Sequence, residues 1–235
     1  MLGHPAVRVI LSPVLLVQAM AVRRRVPVLP EAAGARAGVN GQGPMLRLLI
    51  AGDSSAAGVG VAHQDQALAG RLVAALGSAY RVDWQLHATS GHTSRDALAL
   101  LAALPVQGFD VAVTALGVND VLRQVSPASF ARWQADLARL LQDRFGVRLH
   151  LRAGVPPMER FPALPRPLRD VLGAQARSLD RALAAAATPT CLHLPFDAAA
   201  LDPVAMAGDG FHPGPAIYRD WAEDLARRIR QRMGG

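Results

Sequence analysis

From Met45 to the C-terminus, short apolar runs alternate with stretches in which apolar residues recur at helical spacing. The runs suited to buried strands are Leu46–Ala51, Val82–Ala88, Phe109–Leu116, Val147–Ala153 and Cys191–Leu194. The stretches with helical spacing are Gln66–Leu76, Ser94–Leu104, Pro127–Arg144, Leu168–Ala187 and Pro215–Arg232. Because such an alternation is typical of parallel strands joined by helices, the pattern predicts one α/β domain over residues 45–235. We expect a five-stranded parallel sheet with helices on both faces.

Residues 1–44 follow a different pattern. Val9–Val22 is mostly apolar, and the cluster Arg23–Arg25 comes directly after it. The apolar run is shorter than the roughly 20 residues that a transmembrane helix needs, and a signal peptide carries its positive charge in front rather than behind. We therefore expect a helix that packs on the domain or lies on a membrane surface. The prolines and glycines of residues 26–44 predict a linker.

The composition of the chain excludes several classes of protein. Of 235 residues, 51% are hydrophobic, which is enough for one sizeable core. Cys191 is the single cysteine, so the chain forms no intrachain disulfide and no cysteine-based metal cluster. The net charge of +7 comes from arginines spread along the predicted helices without a nucleic-acid-binding motif, so we expect no nucleic-acid partner. The Arg23–Arg25 cluster favours a cytoplasmic domain, with inner-membrane association of residues 1–25 as an alternative and export less favoured.

Polar residues follow four of the five predicted strands. These signals are Ser54, Thr89–Ser94, Gly117–Asp120 and Asp209–Pro213. Because the carboxyl ends of parallel strands share one edge of the sheet, residues far apart in sequence are expected to meet in one crevice there. The proline-rich loop Gly154–Pro167 follows the fourth strand and belongs to the same edge. Its residues Pro156, Pro157, Met158 and Phe161 either line a substrate pocket or only cover the sheet edge.

Ester hydrolysis needs the residue types that occur in these signals. A serine hydroxyl becomes a nucleophile when a base takes its proton, histidine is the usual base, and a carboxylate orients the imidazole. Ser54, His212 and Asp209 are the candidates, although each has a structural alternative: a turn serine, a loop histidine and a helix cap. The backbone N–H groups of Ser54 and Gly91 and the side-chain amide of Asn119 are candidate oxyanion donors, or else ordinary turn residues.

Four blocks of residues resemble those of the SGNH subgroup of the GDSL esterases and lipases. They are Gly52-Asp53-Ser54, Gly91, Gly117-Val118-Asn119-Asp120 and Asp209-Gly210-Phe211-His212-Pro213. The resemblance runs from about Leu46 to the C-terminus, but the second block departs from the family, with His87-Ala88-Thr89 where an asparagine is common.

This resemblance implies a flavodoxin-like three-layer α/β/α sandwich without a metal or a cofactor. It also implies a catalytic triad of Ser54, His212 and Asp209, and an oxyanion hole of Ser54, Gly91 and Asn119. Asp53 is then expected to order the turn, and Asp120 to be structural.

The expected function is a serine esterase that acts on a small-molecule or lipid ester. Its substrates would be carboxylic esters with short- to medium-chain acyl groups, or esters that resemble lysophospholipids, cleaved through an acyl-enzyme. Two alternatives stay open at this point. One is a carbohydrate O-acetyl esterase or acetyl transferase, and the other is a membrane-tethered binding module that keeps the fold without catalysis.

Overall fold

The computed structural model describes residues 5–196 and 202–234, so the first four residues of the N-terminal segment lie outside the described part. The helices are α1 (Pro5–Arg25), α2 (Leu68–Leu76), α3 (Ser94–Ala102), α4 (Val118–Leu122), α5 (Pro127–Phe145), α6 (Leu168–Ala185) and α7 (Pro215–Met233). The strands are β1 (Ala37–Asn40), β2 (Met45–Gly52), β3 (Arg81–Ala88), β4 (Val111–Ala115), β5 (Leu149–Ala153) and β6 (Cys191–Leu194). Short 3-10 turns occupy Met158–Arg160 and Pro203–Ala205.

The sheet has the strand order β1-β3-β2-β4-β5-β6. Strands β2 to β6 are mutually parallel, which confirms the five predicted parallel strands. The prediction missed β1, which pairs antiparallel with β3 at the edge and lies inside the segment interpreted as a linker. All four residues of β1 are exposed, so this strand carries no apolar alternation that would mark it in the sequence.

Helices cover both faces of the sheet, as the three-layer prediction requires. On one face, Leu48 and Ile50 of β2 join a buried cluster with α2 and α7. On the other face, Leu49 and Ala51 join a cluster with α3 and α5. A strand that buries successive residues on opposite faces reads as a continuous apolar run, which explains why β2 was recognisable in the sequence.

Local chemistry sets the ends of the helices that flank the site. Helix α3 begins with a capping box, in which the Thr93 hydroxyl accepts from the Asp96 N–H and the Asp96 side chain accepts from the Thr93 N–H. Helix α5 has Pro127 in its first turn, and Gly146, with φ of 67°, ends it in the left-handed region.

The N-terminal helix α1 packs against the domain through Leu15 and Val22, which contact a buried cluster that includes residues of α6. Within the described residues, no helix has the length and the hydropathy that a membrane span requires.

Candidate active site

The turn that carries Ser54 follows directly from the end of β2. Gly52 is the last residue of the strand, and a Cβ there would overlap the carbonyl oxygen of Ala115 and lie 2.7 Å from the Cβ of Ala56. The Asp53 carboxylate then orders the turn, because its Oδ1 accepts from the N–H (3.0 Å) and the hydroxyl (2.8 Å) of Ser55. Ser54 is thereby presented at the carboxyl edge of the sheet.

Ser54, His212 and Asp209 form one hydrogen-bonded row. The Oγ of Ser54 lies 2.9 Å from Nε2 of His212, and Nδ1 of His212 lies 2.5 Å from Oδ2 of Asp209. The structure therefore brings together three residues that the sequence analysis singled out from opposite ends of the domain. Asp209 is buried, with 5% of its surface exposed, so water competes little for its carboxylate.

The loop between Met206 and Pro213 holds the His212–Asp209 pair as one unit. Oδ1 of Asp209 accepts from the N–H groups of Phe211 (2.9 Å) and His212 (3.0 Å). The Ala207 N–H donates to the carbonyl of His212 (2.9 Å), which closes the loop on itself. The loop geometry is therefore maintained by the same carboxylate that contacts the imidazole.

Opposing effects set the ionisation of the two carboxyls in the site. Burial raises the pKa of Asp209, but hydrogen bonds from the ring and backbone of His212 and from the Phe211 N–H outweigh it, so the net pKa lies below the usual value. Burial dominates for Asp53 and raises its pKa, although the bonds from Ser55 and Asn119 and the nearby His212 oppose the shift. Asp209 therefore favours its carboxylate form, whereas the burial of Asp53 opposes ionisation of that carboxyl.

The second block lies beside the Ser54 turn. The Thr89 N–H donates to the carbonyl of Gly52 (3.2 Å), and the His92 N–H donates to the carbonyl of Thr89 (3.2 Å). Gly91 between them has φ of 85°, and a Cβ added there would meet nothing within 4 Å. The Gly91 backbone therefore borders open space at the sheet edge.

Asn119 connects the second block to the Ser54 turn. Its Nδ2 donates to the carbonyl of His92 (3.1 Å) and to Oδ2 of Asp53 (3.3 Å). Gly117 begins this block with φ of 126°, and a Cβ there would lie 2.6 Å from Cγ2 of Val155. Only glycine fits this turn without strain, so the third block is held to one conformation.

Asp120, next to Asn119, has a structural role, as expected. Its Oδ2 accepts from the N–H and the hydroxyl of Ser94, both at 3.0 Å, at the start of α3. Burial raises the pKa of Asp120 to about 6 despite these bonds.

An apolar cavity of about 540 Å³, including space open to solvent, adjoins Ser54 and His212. Its apolar walls come from the ends of β4 and β5, the start of α4, the loop after β5, residues between β6 and α7, and α7 itself, with the residues Ala115, Leu116, Val118, Ala153, Gly154, Pro156, Phe161, Phe196, Met206, Phe211, Pro213 and Trp221. The loop Gly154–Pro167 thus contributes Pro156 and Phe161, two of the four residues for which the sequence left open whether they line a pocket or only cover the sheet edge. Pro157 is not part of the lining, and Met158 is instead buried in the cluster with α6.

Phe196, Met206 and Trp221, which complete the cavity wall, were not predicted from the sequence. The rings of Phe196 and Trp221 pack edge to face, with centroids 5.1 Å apart. Trp221 lies in the second turn of the helix that follows the His212 loop, and that position is the one sequence signal for this wall.

Across residues 5–196 and 202–234, no three His, Cys, Asp or Glu side chains are grouped as metal ligands would be.

Comparisons with known proteins agree with this geometry. The model of the GDSL-like lipase/acylhydrolase family matches residues 50–219, a range that contains all five candidate site residues. The crystal structure of TesA is similar, with a TM-score of 0.60, 24% identity and coverage of 79% of this chain and 98% of TesA. The esterase EstA from Pseudoalteromonas sp. is similar with a TM-score of 0.56 and 19% identity, over 80% of this chain and 99% of EstA.

The acetylxylan esterase Axe2 from Geobacillus stearothermophilus is also similar, with a TM-score of 0.55 and 20% identity over 81% of this chain and 94% of Axe2. At sequence identities this low, the structural similarity shows a common fold alone. Among curated proteins, no sequence matches the chain significantly.

Proposed function

Because the chain belongs to the GDSL-like lipase/acylhydrolase family and is a carboxylic ester hydrolase, we propose that it cleaves esters through an acyl-enzyme on Ser54. The observation that carries this proposal is the row of hydrogen bonds from Ser54 through His212 to Asp209, with distances of 2.9 and 2.5 Å. A non-catalytic binding module has no need of a serine aligned with a base and a buried carboxylate.

The row supports a two-step proton relay. Nε2 of His212 accepts the hydroxyl proton while Oγ of Ser54 attacks the ester carbonyl carbon, and it returns that proton to the departing alcohol. Water then attacks the acyl-enzyme and gives one proton to Nε2 of His212. His212 passes this proton to Oγ of Ser54 as the carboxylic acid leaves. Asp209 accepts from Nδ1–H throughout, which leaves the lone pair of Nε2 directed at Ser54.

The oxyanion that forms in each step would be stabilised by the N–H groups of Ser54 and Gly91 and by the amide of Asn119. The longer bond of Asn119, 3.3 Å to Asp53, is the one that a bound oxyanion would replace. The bond to the His92 carbonyl, 3.1 Å, would continue to orient the amide. Each donor of this kind contributes about 3 kcal/mol to the stability of the transition state.

The cavity beside Ser54 supports an acyl group longer than acetyl. Its walls are mainly aromatic and aliphatic, and burial of each CH2 group of an acyl chain there contributes about 0.8 kcal/mol. The apolar lining favours acyl chains that bring CH2 groups into contact with it over acetyl, so an O-acetyl esterase or acetyl transferase is the weaker alternative. Rates on p-nitrophenyl acetate, butyrate and octanoate, on lysophosphatidylcholine and on acetylated xylan, measured side by side, separate these substrate classes.

The test of the proposal is Ser54→Ala, with Ser55→Ala as the matched control. The hydroxyl of Ser55 donates to Asp53, so it is engaged in the turn rather than aligned with His212. We expect Ser54→Ala to lose p-nitrophenyl butyrate hydrolysis and labelling by a fluorophosphonate, while Ser55→Ala still labels. Turnover or labelling that survives in folded Ser54→Ala would contradict the assignment, and a wild-type protein that does not label would favour the binding module.

A further inference from the structure

Helix α1 has an apolar face that the domain leaves uncovered. Leu15 and Val22 contact the cluster beneath the helix. On the opposite side, Leu16, Val17 and Met20 expose 61%, 62% and 45% of their surface. Single exposed apolar residues are common, but adjacent ones on a helix that is already docked indicate a surface that meets something other than water.

The charge of this segment indicates what meets that face. Arg23–Arg25 form the last turn of α1, and residues 1–25 contain no aspartate or glutamate. An apolar face that ends in a cluster of arginines matches a bilayer surface, where acyl chains accept the apolar side chains and anionic headgroups pair with the guanidinium groups. No described helix has the properties of a membrane span, so α1 would lie on this surface.

Gln18 fixes α1 to the loop that forms one wall of the cavity. Its Nε2 donates to the carbonyl of Arg166 (2.7 Å), and its Oε1 accepts from the N–H of Leu168 (3.1 Å). Both bonds join residues about 150 positions apart in sequence, and together they engage both the NH2 group and the oxygen of the side-chain amide with backbone groups. The helix is therefore attached to this loop by directional contacts as well as by apolar packing.

The same loop connects α1 to the hydrogen-bonded row. Nη2 of Arg25 donates to the carbonyl of Ala163 (3.3 Å), and the N–H of Ala163 donates to the carbonyl of Gly210 (3.1 Å), inside the loop that holds Asp209 and His212. Phe161, two residues before Ala163, lines the cavity. Hydrogen bonds thus connect α1 to a loop that also lines the cavity.

We propose that α1 is an interfacial helix that docks this protein on an anionic lipid surface, beside which the cavity receives esters carried by that surface. The docking follows from α1 alone, and the delivery of esters rests on the proposed function of Ser54.

The experiment measures co-sedimentation of the full chain with vesicles of phosphatidylcholine, alone or mixed with phosphatidylglycerol. We expect binding to the mixed vesicles and little binding to phosphatidylcholine alone. The double variant Arg23→Gln/Arg24→Gln should bind about thirtyfold more weakly, since each arginine near an anionic surface contributes about fivefold. Leu16→Gln/Val17→Gln should also lose binding.

The matched control is Arg71→Gln/Arg81→Gln, which removes the same charge from exposed positions on α2 and β3. It should bind almost as the wild type does, and all three double variants should hydrolyse p-nitrophenyl butyrate in solution at the wild-type rate. Ser54→Ala should bind the vesicles normally, so a failure of the proposed catalysis is distinguishable from a failure of docking.

Three results would overturn the inference. The first is a wild-type protein that does not bind the mixed vesicles. The second is equal weakening by the control and by Arg23→Gln/Arg24→Gln, which would assign the binding to net charge. The third is a wild-type dimer that Leu16→Gln/Val17→Gln converts to a monomer, which would assign the apolar face to a second copy of the chain.

Discussion

Replacing Asp209 by asparagine exchanges one oxygen for an NH2 group and preserves the shape of the side chain. The oxygen that accepts from the N–H groups of Phe211 (2.9 Å) and His212 (3.0 Å) remains in place, so the loop keeps its geometry. The new NH2 group then takes the position of Oδ2, 2.5 Å from Nδ1 of His212. Two donors cannot face each other at this distance, so the imidazole changes to the tautomer that is protonated at Nε2.

That tautomer presents an N–H to Ser54, whose Oγ lies 2.9 Å away, and it has no lone pair to accept the hydroxyl proton. In triads of this type the same change lowers kcat about ten thousandfold, equivalent to about 5.5 kcal/mol of transition-state stabilisation. Asp209→Ala removes the imidazole partner and also leaves two backbone donors without an acceptor, which costs about 1–3 kcal/mol of folding free energy for each buried donor.

The assay is steady-state hydrolysis of p-nitrophenyl butyrate, together with thermal unfolding of the wild type, Asp209→Asn and Asp209→Ala. We expect both variants to lose activity and only Asp209→Ala to lose several degrees of thermal stability. If Asp209→Asn kept more than about a tenth of the wild-type kcat, the tautomer argument would be refuted. Equal unfolding temperatures for the two variants would refute the stabilising role of Oδ1 in the loop.

Three further predictions concern the core, the cavity and the Ser54 turn. Burial, with the charge of Arg152, lowers the pKa of His150 to about 3. Below a pH of about 6.5 the unfolded chain therefore takes up a proton at this histidine, whereas the folded protein does not. The free energy of unfolding, measured in urea, should fall by up to about 3 kcal/mol between pH 6.5 and pH 4. Phe161→Leu widens the cavity and should raise kcat/KM for p-nitrophenyl octanoate over butyrate about fivefold. Gly52→Ala should lower the free energy of unfolding by about 3 kcal/mol, because its Cβ would overlap the carbonyl oxygen of Ala115 in β4 and the Cβ of Ala56 in the turn.

Each of these predictions has a matched control. His150→Gln lacks the titrating ring, so identical pH slopes in this variant and the wild type would contradict the assignment to His150. Phe145→Leu changes a buried phenylalanine outside the cavity and should not alter the preference for acyl-chain length. Gly208→Ala adds a methyl group with no heavy atom within 4 Å and should be neutral within about 0.5 kcal/mol; an equally neutral Gly52→Ala would refute the steric argument.

The five parallel strands were predictable because each contains apolar residues that the core buries: β4 and β5 are buried at every position, whereas β3 buries alternate residues. β1 was not, because Ala37–Asn40 pairs through its backbone alone and leaves its side chains in solvent. Strand pairing of this kind depends on the edge of β3 being free, and that is a property of the assembled sheet. Glycines and prolines, which predicted a linker over residues 26–44, therefore do not exclude an edge strand within that segment.

The positions of Ser54, Asp209 and His212 were predictable because local motifs mark them and parallel topology brings strand ends together. The cavity wall was less accessible to sequence reasoning. The ring centroids of Phe196 and Trp221 lie 5.1 Å apart, but the sequence around either residue does not predict this contact. Which apolar side chains face a site, rather than the core, depends on the paths of the loops that carry them.

The closed loop of residues 206–213 divides the hydrogen-bonded row of Ser54, His212 and Asp209 into a local and a distant part. Asp209 and His212 are three positions apart and meet within one turn of chain, whereas Ser54 is 158 positions from His212. The His212–Asp209 pair is therefore set by the local geometry of the chain just before α7. One long-range distance then remains to be set, from the start of α7 to the end of β2, and it is the one that aligns Nε2 of His212 with Oγ of Ser54.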